Sequence, residues 1–366
     1  MEPLVKKSLD SSHLRFNPLL GEWILVAPKR GERPQSEKAF PPSSDSDLSY
    51  DPNCFLCPGN VRAGGIRNPK YRPGFTFDND FPALSEGVAP KIRTGFTLIR
   101  SQSERGVCRV TCYSADHHRG PARLDVGVLQ RAVEVWTDQS RELGAIPWVR
   151  YVQIFENHGP IAGASSSHPH SQIWASSHVP SIPLSERAHQ KAYLLKHQSC
   201  LLCDYVKLEL SLAERVVCEN DSFLVVTPYW SMWPFETMVL SKRHLGTLAE
   251  MTGDEKMDLA KIMKAITTRY DNIFQAPFAY SMGLHQSPMD SHSHPEQHFH
   301  MHYNSPMKSG SVQKVLAGYE LVAGRQRDDL PETAAARLRS VSDVHYLERP
   351  GPVLTVHRNE PSRQDA

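Results

Sequence analysis

His168-Pro169-His170-Ser171-Gln172-Ile173-Trp174 and His298-Phe299-His300-Met301-His302-Tyr303 are the two stretches that decide how this chain is read. In an extended chain successive side chains point to opposite faces, so His168, His170 and Gln172 share one face of the first stretch. The second sets His298, His300 and His302 against Phe299, Met301 and Tyr303, the pattern of a strand with one face in a core and the other in a polar site. A lone histidine on such a strand is usually solvated or hydrogen-bonded. Two alternating clusters, in a chain with 18 histidines, favour a chemical site.

Outward from these runs, Leu129, Ala132, Val133, Trp136, Ser140 and Leu143 follow helical spacing between Asp125 and Leu143, as do Leu259, Ile262, Met263, Ile266, Tyr270 and Ile273. The second helix follows Thr252-Gly253-Asp254-Glu255, which has the form of a capping box. Tyr151-Val152-Gln153-Ile154-Phe155, Phe223-Leu224-Val225-Val226-Thr227 and Thr237-Met238-Val239-Leu240 read as strands. Each half thus runs through strands, a long amphipathic helix, another strand and a histidine segment, which predicts two related halves meeting near residue 195. The expected divisions are a flexible N-terminus over 1–14, halves over 15–195 and 196–348, and a disordered tail over 349–366. Ser36 to Asn53 reads as a loop.

The 366 residues are 40% hydrophobic and 22% charged, with 28 prolines and 21 glycines. This composition suits one large or two medium domains and excludes a disordered or fibrous chain. Lys+Arg 41 against Asp+Glu 40 leaves a net charge of +1, which argues against nucleic acid or an anionic membrane as partner. No segment approaches the roughly 20 apolar residues of a membrane span, and Met1-Glu2-Pro3-Leu4-Val5-Lys6-Lys7 lacks the apolar run of a signal peptide. The expectation is a cytoplasmic protein. Seven cysteines, including the CxxC pairs Cys54/Cys57 and Cys200/Cys203, suit reduced thiols or metal ligands better than a disulfide framework.

A histidine nucleophile attacking phosphorus forms a labile P–N bond, which suits transfer between two phosphate-bearing substrates. Gln172, at the third alternating position, offers amide donors to a phosphoryl oxygen without moving a proton. Cys54/Cys57, in a polar Pro/Gly loop, is the better metal candidate; its other two ligands come either from Cys200/Cys203 or from His117 or His118 with His168. Cys200-Leu201-Leu202-Cys203 otherwise reads as two small residues packed among apolar neighbours, and Cys108, Cys112 and Cys218 as packed too. His285, His300 and His302 with an acidic residue would make a site for iron or zinc. His292, His294 and His298 read as bystanders.

Phe155-Glu156-Asn157-His158-Gly159 through His168-Pro169-His170-Ser171-Gln172-Ile173-Trp174-Ala175 resembles the signature of class I galactose-1-phosphate uridylyltransferases, in the histidine-triad (HIT) superfamily. Asn17-Pro18-Leu19-Leu20-Gly21-Glu22-Trp23, Tyr229-Trp230-Ser231-Met232-Trp233-Pro234-Phe235-Glu236-Thr237, Arg269-Tyr270-Asp271-Asn272, Tyr280-Ser281-Met282-Gly283 and Gly318-Tyr319-Glu320 extend the resemblance from about Arg15 to Tyr346. It implies an α+β, HIT-like fold: a mostly antiparallel sheet with flanking helices, two related halves in one chain. It implies a nucleotidyltransferase of galactose metabolism that passes UMP between UDP-glucose and galactose 1-phosphate through a uridylyl-histidine, acting as a homodimer.

By the same resemblance, His170 is the nucleophile and Gln172 contacts the phosphoryl oxygens. Cys54, Cys57, His117 and His168 are zinc ligands, and Glu186, His285, His300 and His302 hold a second metal, iron or zinc. Arg30, Arg33, Asn79, Asp80, Asn157, Ser165, Lys314, Tyr319 and Gln326 match positions that hold nucleotide or sugar phosphate. The chain departs from the family at His158, where lysine is usual, and at Ala164-Ser165-Ser166-Ser167, where Cys-Ser-Asn-Pro is usual, a change expected to loosen the approach to His168 and His170. Near the sugar site, Leu284 stands for a common tryptophan and Asn304-Ser305 for Tyr-Pro. The rival readings are a nucleoside-diphosphate-sugar phosphorylase of the same superfamily and a zinc-stabilised interaction module. Gln172 argues against a plain hydrolase, since the hydrolases of the superfamily usually carry histidine there.

Overall fold

The computed structural model describes residues 11–30, 49–87 and 97–349. Arg33, most of the Ser36–Asn53 loop, residues 1–10 and the tail from 350 onward lie outside the described residues. In chain order the strands are β1 (His13–Asn17), β2 (Glu22–Val26), β3 (Phe75–Asp78), β4 (Gly106–Cys112), β5 (Tyr151–His158), β6 (His170–Ser176), β7 (Val216–Glu219), β8 (Phe223–Val226), β9 (Thr237–Ser241), β10 (Tyr280–His285), β11 (His300–Asn304) and β12 (Gln326–Arg327). The helices are α1 (Val126–Gly144), α2 (Ser181–His197), α3 (Leu201–Leu212), α4 (Gly253–Phe274), α5 (Tyr319–Val322) and α6 (Pro331–Ser340).

Among the described residues, nine strands form one antiparallel sheet in the order β3-β4-β6-β5-β10-β11-β9-β8-β7. The order strand, strand, helix, strand, strand occurs twice, as β3-β4-α1-β5-β6 and β8-β9-α4-β10-β11. The two sets meet edge to edge where β5 pairs with β10, Tyr280 opposite His158 through Leu284 opposite Ile154. In this arrangement β6 and β11, the two histidine strands, hold equivalent places on either side of the junction. A smaller sheet, β1-β2-β12, includes one parallel pairing.

The apolar periodicities account for the core. Leu129, Val133 and Trp136 of α1 and Leu259, Ile262, Met263 and Ile266 of α4 are buried with Ile154, Ile173, Ala175, Met282, Met301 and Tyr303 on one face of the large sheet. The capping box at the start of α4 is complete: Glu255 N–H donates to Thr252 Oγ1 at 3.2 Å, and Thr252 N–H donates to Glu255 Oε2 at 2.8 Å. Reciprocal capping satisfies two amide donors that the helix itself cannot.

The structure adds to the sequence reading at several points. β1 begins at His13, inside the stretch expected to be flexible, and position 195, near which the two halves were expected to meet, lies in the last turn of α2. On the second half, the face opposite α4 is covered as well: Leu202, Tyr205 and Val206 of α3 pack on Leu224, Val226, Met238 and Leu240. Leu284 belongs to the α1/α4 side, fully buried, while its neighbours Gly283 and His285 face the other way. No helix among the described residues is long and apolar enough to cross a membrane.

Candidate active site and metal centres

The alternation of β6 divides its residues as the sequence requires. Ser171, Ile173 and Ala175 are buried, with Trp136 Nε1 of α1 donating to Ser171 Oγ at 2.9 Å, while His170, Gln172 and Trp174 on the other side are half-buried. His170 Nδ1 lies 2.8 Å from the carbonyl oxygen of His168. Only a protonated Nδ1 can make that bond, so in the neutral ring the lone pair lies on Nε2. Gln172 Oε1 accepts from Trp174 Nε1 at 3.1 Å, which leaves its NH2 end as the donor. His170 lines a cavity of about 500 Å³ with Asn157, His158, Ser165 and Ser166. Asn157 Oδ1 accepts from Ser281 Oγ at 3.0 Å, so this side chain too offers its NH2. At the end of β5 the chain turns around the cavity through Gly159, at φ +80°, where a Cβ would stand 3.1 Å from that of Ala279.

Cys54, Cys57, His117 and His168 form one cluster, with ligand atoms all within 4.8 Å of one another. Cys57 Sγ is 3.5 Å from His117 Nδ1 and 3.6 Å from His168 Nδ1. Ligands 2.3 Å (S) and 2.0–2.1 Å (N) from a tetrahedral zinc would stand about 3.5 Å apart, so the donor set and its spacing fit that ion. The outer nitrogens are held: His168 Nε2 is 3.0 Å from the Ser114 carbonyl oxygen, and His117 Nε2 is 3.0 Å from Ser167 Oγ. Such contacts fix which nitrogen faces the ion. Burial pushes His168 down to about 4, so it remains the neutral imidazole that ligation needs. Of the two candidates His117 and His118, His117 is the one in the cluster.

Glu186, His285, His300 and His302 form a second cluster. His285 Nδ1 is 2.6 Å from Glu186 Oε2, and His300 Nε2 and His302 Nε2 each stand 3.4 Å from a Glu186 oxygen. Those two Nε2 atoms are buried without a hydrogen-bond partner, the condition of donors waiting on a cation. A mixed N/O set of this kind suits iron or zinc. Cys200 and Cys203 do not join Cys54 and Cys57, which removes the four-cysteine alternative. They also do not merely pack, since they stand with His244 and His298 in a third cluster. His298 is therefore no bystander. The CxxC pattern was the available signal; nothing in the sequence marked His244.

The expected phosphate and sugar residues separate into groups. Asn157 and Ser165 line the His170 cavity. Asp80 pairs with Arg62 at 3.4 Å, and Asn79 Oδ1 accepts from Phe81 N–H at 2.9 Å just past β3. Arg30 and Gln326 gather instead around Asp328, at 3.4 and 2.9 Å, beside the small sheet. Lys314 Nζ bonds Glu320 at 2.7 Å, and Tyr319 is half-exposed at the start of α5. None of these four lines the cavity of His170.

Residues 5–180 match the family described as galactose-1-phosphate uridyl transferase, N-terminal domain, and residues 186–350 its C-terminal domain. The chain is 43% identical over 341 residues to the galactose-1-phosphate uridylyltransferase of Haemophilus influenzae, covering 93% of this chain and 97% of that one. The chain belongs to the galactose-1-phosphate uridylyltransferase family. The enzyme of that name from Rattus norvegicus is 39% identical over 345 residues, covering 93% and 90% of the two chains. A solved uridylyltransferase structure superposes with a TM-score of 0.71 at 27% identity, over 89% of this chain and 97% of that one. An ADP-glucose phosphorylase from Arabidopsis thaliana gives the same TM-score at 22% identity and shares the fold. As a galactose-1-phosphate uridylyltransferase family member, the chain is a nucleotidyltransferase with an α+β fold built on a large antiparallel sheet with flanking helices.

The departures from the family pattern acquire local meanings. Ser166 Oγ accepts from the His168 N–H at 3.2 Å and Ser167 Oγ contacts His117, so the serine run holds the first cluster rather than loosening it. Ser305 is buried, donating to the Ala279 carbonyl at 2.7 Å, while Asn304 lines a cavity beside the second cluster. His158 stacks on Tyr280 at 4.8 Å with Nδ1 3.2 Å from Glu156 Oε1. Burial opposes its charge, but the hydrogen bond and charge of Glu156, helped by Asp271, outweigh burial and raise its pKa above the usual histidine value. The uncharged Tyr280, the guanidinium-bearing Arg123, and His118 and His345 line the same small cavity.

A raised histidine stabilises the fold fully below its unfolded pKa and loses that contribution as pH climbs through the folded one. The wild type is therefore expected to be more stable than His158→Gln at mildly acid pH, with the difference shrinking towards alkaline pH. Melting temperatures of both proteins across that range test it. Parallel curves would show that the His158 charge contributes nothing.

Proposed function

We propose that the chain exchanges UMP between UDP-glucose and galactose 1-phosphate by double displacement, with His170 carrying the uridylyl group between the two half-reactions. The observation that carries this reading is the state of His170: Nδ1–H is committed to the His168 carbonyl, and Nε2 stands with its lone pair at a cavity lined by amide and hydroxyl donors. Nε2 attacks the α-phosphorus, the P–N bond forms, and the bond to the bridging oxygen breaks to release glucose 1-phosphate. Galactose 1-phosphate oxygen then attacks the same phosphorus and the P–N bond breaks. The group that leaves in the first step and the group that attacks in the second are both phosphate oxygens, weakly basic, and the imidazole leaves with the Nδ1 proton it arrived with, so neither step needs a proton delivered. Gln172 suits such a reaction, because it donates to the phosphoryl oxygens without acting as an acid. The positive charge that His170 acquires as it bonds to phosphorus is eased by the His168 carbonyl.

Cys54, Cys57, His117 and His168 would hold zinc, and Glu186, His285, His300 and His302 iron or zinc. Bound there, the first ion supplies rigidity to the segment leading into His170. The separation of Arg30, Lys314, Tyr319 and Gln326 from the His170 cavity supports a homodimer in which that group serves the cavity of a second copy. The exposed pair Phe16 and Trp23, ring centroids 5.1 Å apart on the small sheet, is apolar surface suited to such a contact. Action in the cytoplasm, as a step of galactose metabolism, completes the reading.

Mass spectrometry of the protein mixed with UDP-glucose and quenched under alkaline conditions tests it. An acid-labile uridylyl group on the His170 peptide is expected. Absence of an adduct, or an adenylyl adduct from ADP-glucose alone, would overturn the assignment.

A further inference from the structure

We propose that the second half of the chain holds a third metal ion, zinc-like in its preferences, on Cys200, Cys203, His244 and His298. The four ligand atoms lie within 4.8 Å of one another. His298 Nδ1 is 3.5 Å from Cys200 Sγ and 3.4 Å from Cys203 Sγ, and His244 Nδ1 is 3.4 Å from Cys203 Sγ. These separations are close to the roughly 3.5 Å between sulfur and nitrogen across a tetrahedral zinc. Two thiols and two imidazoles are the soft, closed donor set of a structural ion, with no position left for substrate.

The surroundings are built for the same purpose. His298 is 1% exposed, and its Nε2 is occupied by Ser241, 2.9 Å from the hydroxyl and 2.8 Å from the carbonyl oxygen. Nδ1 is thereby turned to the sulfurs. Cys200 is the N-cap residue of α3 and Cys203 lies in its first turn, where the positive end of a helix favours thiolates. Cys203 is half-buried and His244 exposed, which gives an ion a way in.

The arrangement repeats the first cluster part for part. Each half contributes a CxxC pair, a histidine soon after β4 or β9 (His117, His244), and a histidine two residues before His170 or His300 (His168, His298). In each, the last histidine turns Nε2 to a serine carbonyl, of Ser114 or Ser241. The ring pairs stand alike, at 5.6 Å and 72° and at 5.4 Å and 88°. The third ion would stitch the start of α3 to β9 and to the segment entering β11, bracing the strand that presents His300 and His302. This inference is independent of the reaction proposed for His170.

Metal analysis of the dialysed full chain against Cys200→Ser/Cys203→Ser decides it: the double variant is expected to lose one equivalent per chain, and the cobalt-loaded protein to lose part of its thiolate-to-cobalt absorption. Unchanged metal content would overturn the proposal. Should that variant fail to fold, alkylation of the wild type reads the same site. Cys203 is expected to react at least tenfold faster after chelation, while Cys218 keeps its rate as a control for the fold. Equal rates at Cys203 with and without chelator, or a peptide mass short by two hydrogens from a Cys200–Cys203 disulfide, would overturn it.

Discussion

His170→Ala is expected to reduce the exchange of UDP-glucose with galactose 1-phosphate by about 10⁴- to 10⁶-fold, the scale on which enzymes lose activity when a nucleophile is removed. The melting curve should stay where it was. His170 is half-buried at the rim of a cavity and makes one hydrogen bond, to the preceding His168 carbonyl, so its loss opens no void in the core. The two measurements belong together, because a fall in rate with a matching fall in stability would point to a collapsed site instead. A residual rate within tenfold of wild type would remove His170 from the reaction.

Cys57→Ser is expected to act in the opposite sense, on the fold first. Cys57 is fully buried, and burial pushes its thiol up to about 12, so without a cation it would remain protonated. Structural zinc is worth ~10–16 kcal/mol in small peptides, and retention of even part of that here implies a loss of about 5 kcal/mol. At about 2 °C per kcal/mol in a chain of this size, Tm should drop by roughly 10 °C, with one equivalent of zinc lost. The rate should fall as well, since His168 both belongs to the cluster and supplies the carbonyl that holds His170. Full zinc content in the variant would show that Cys57 is not a ligand.

The periodic parts of the fold were legible because one period fixes one face. The alternation in β6 and β11 and the spacing of α1 and α4 each predicted which apolar side chains enter the core, and the capping box placed the start of α4. What escaped depended on contacts far apart in the chain. His244 follows β9 in a run of charged residues and meets Cys203 only because β9 and α3 pack together, a relation with no local trace. Leu201 and Leu202 made the second CxxC look like core, and they are core; the flanking sulfurs nevertheless turn towards His298 and His244. Leu284, which the resemblance set near the sugar site, is a core residue, because one step along a strand is enough to move a side chain from one face of the sheet to the other. The helices α2 and α3 carry weaker apolar stripes than α1 and α4, and a proline at position 183 in the first turn further obscured α2.

The ladder between β5 and β10 joins the two halves with neither strand on an outer edge. If the polypeptide were cut between α2 and α3 and its pieces made separately, each would offer a raw row of amides and carbonyls along its longest histidine-bearing flank. Such fragments should be sticky when alone and soluble when produced together, recovering one continuous sheet by complementation.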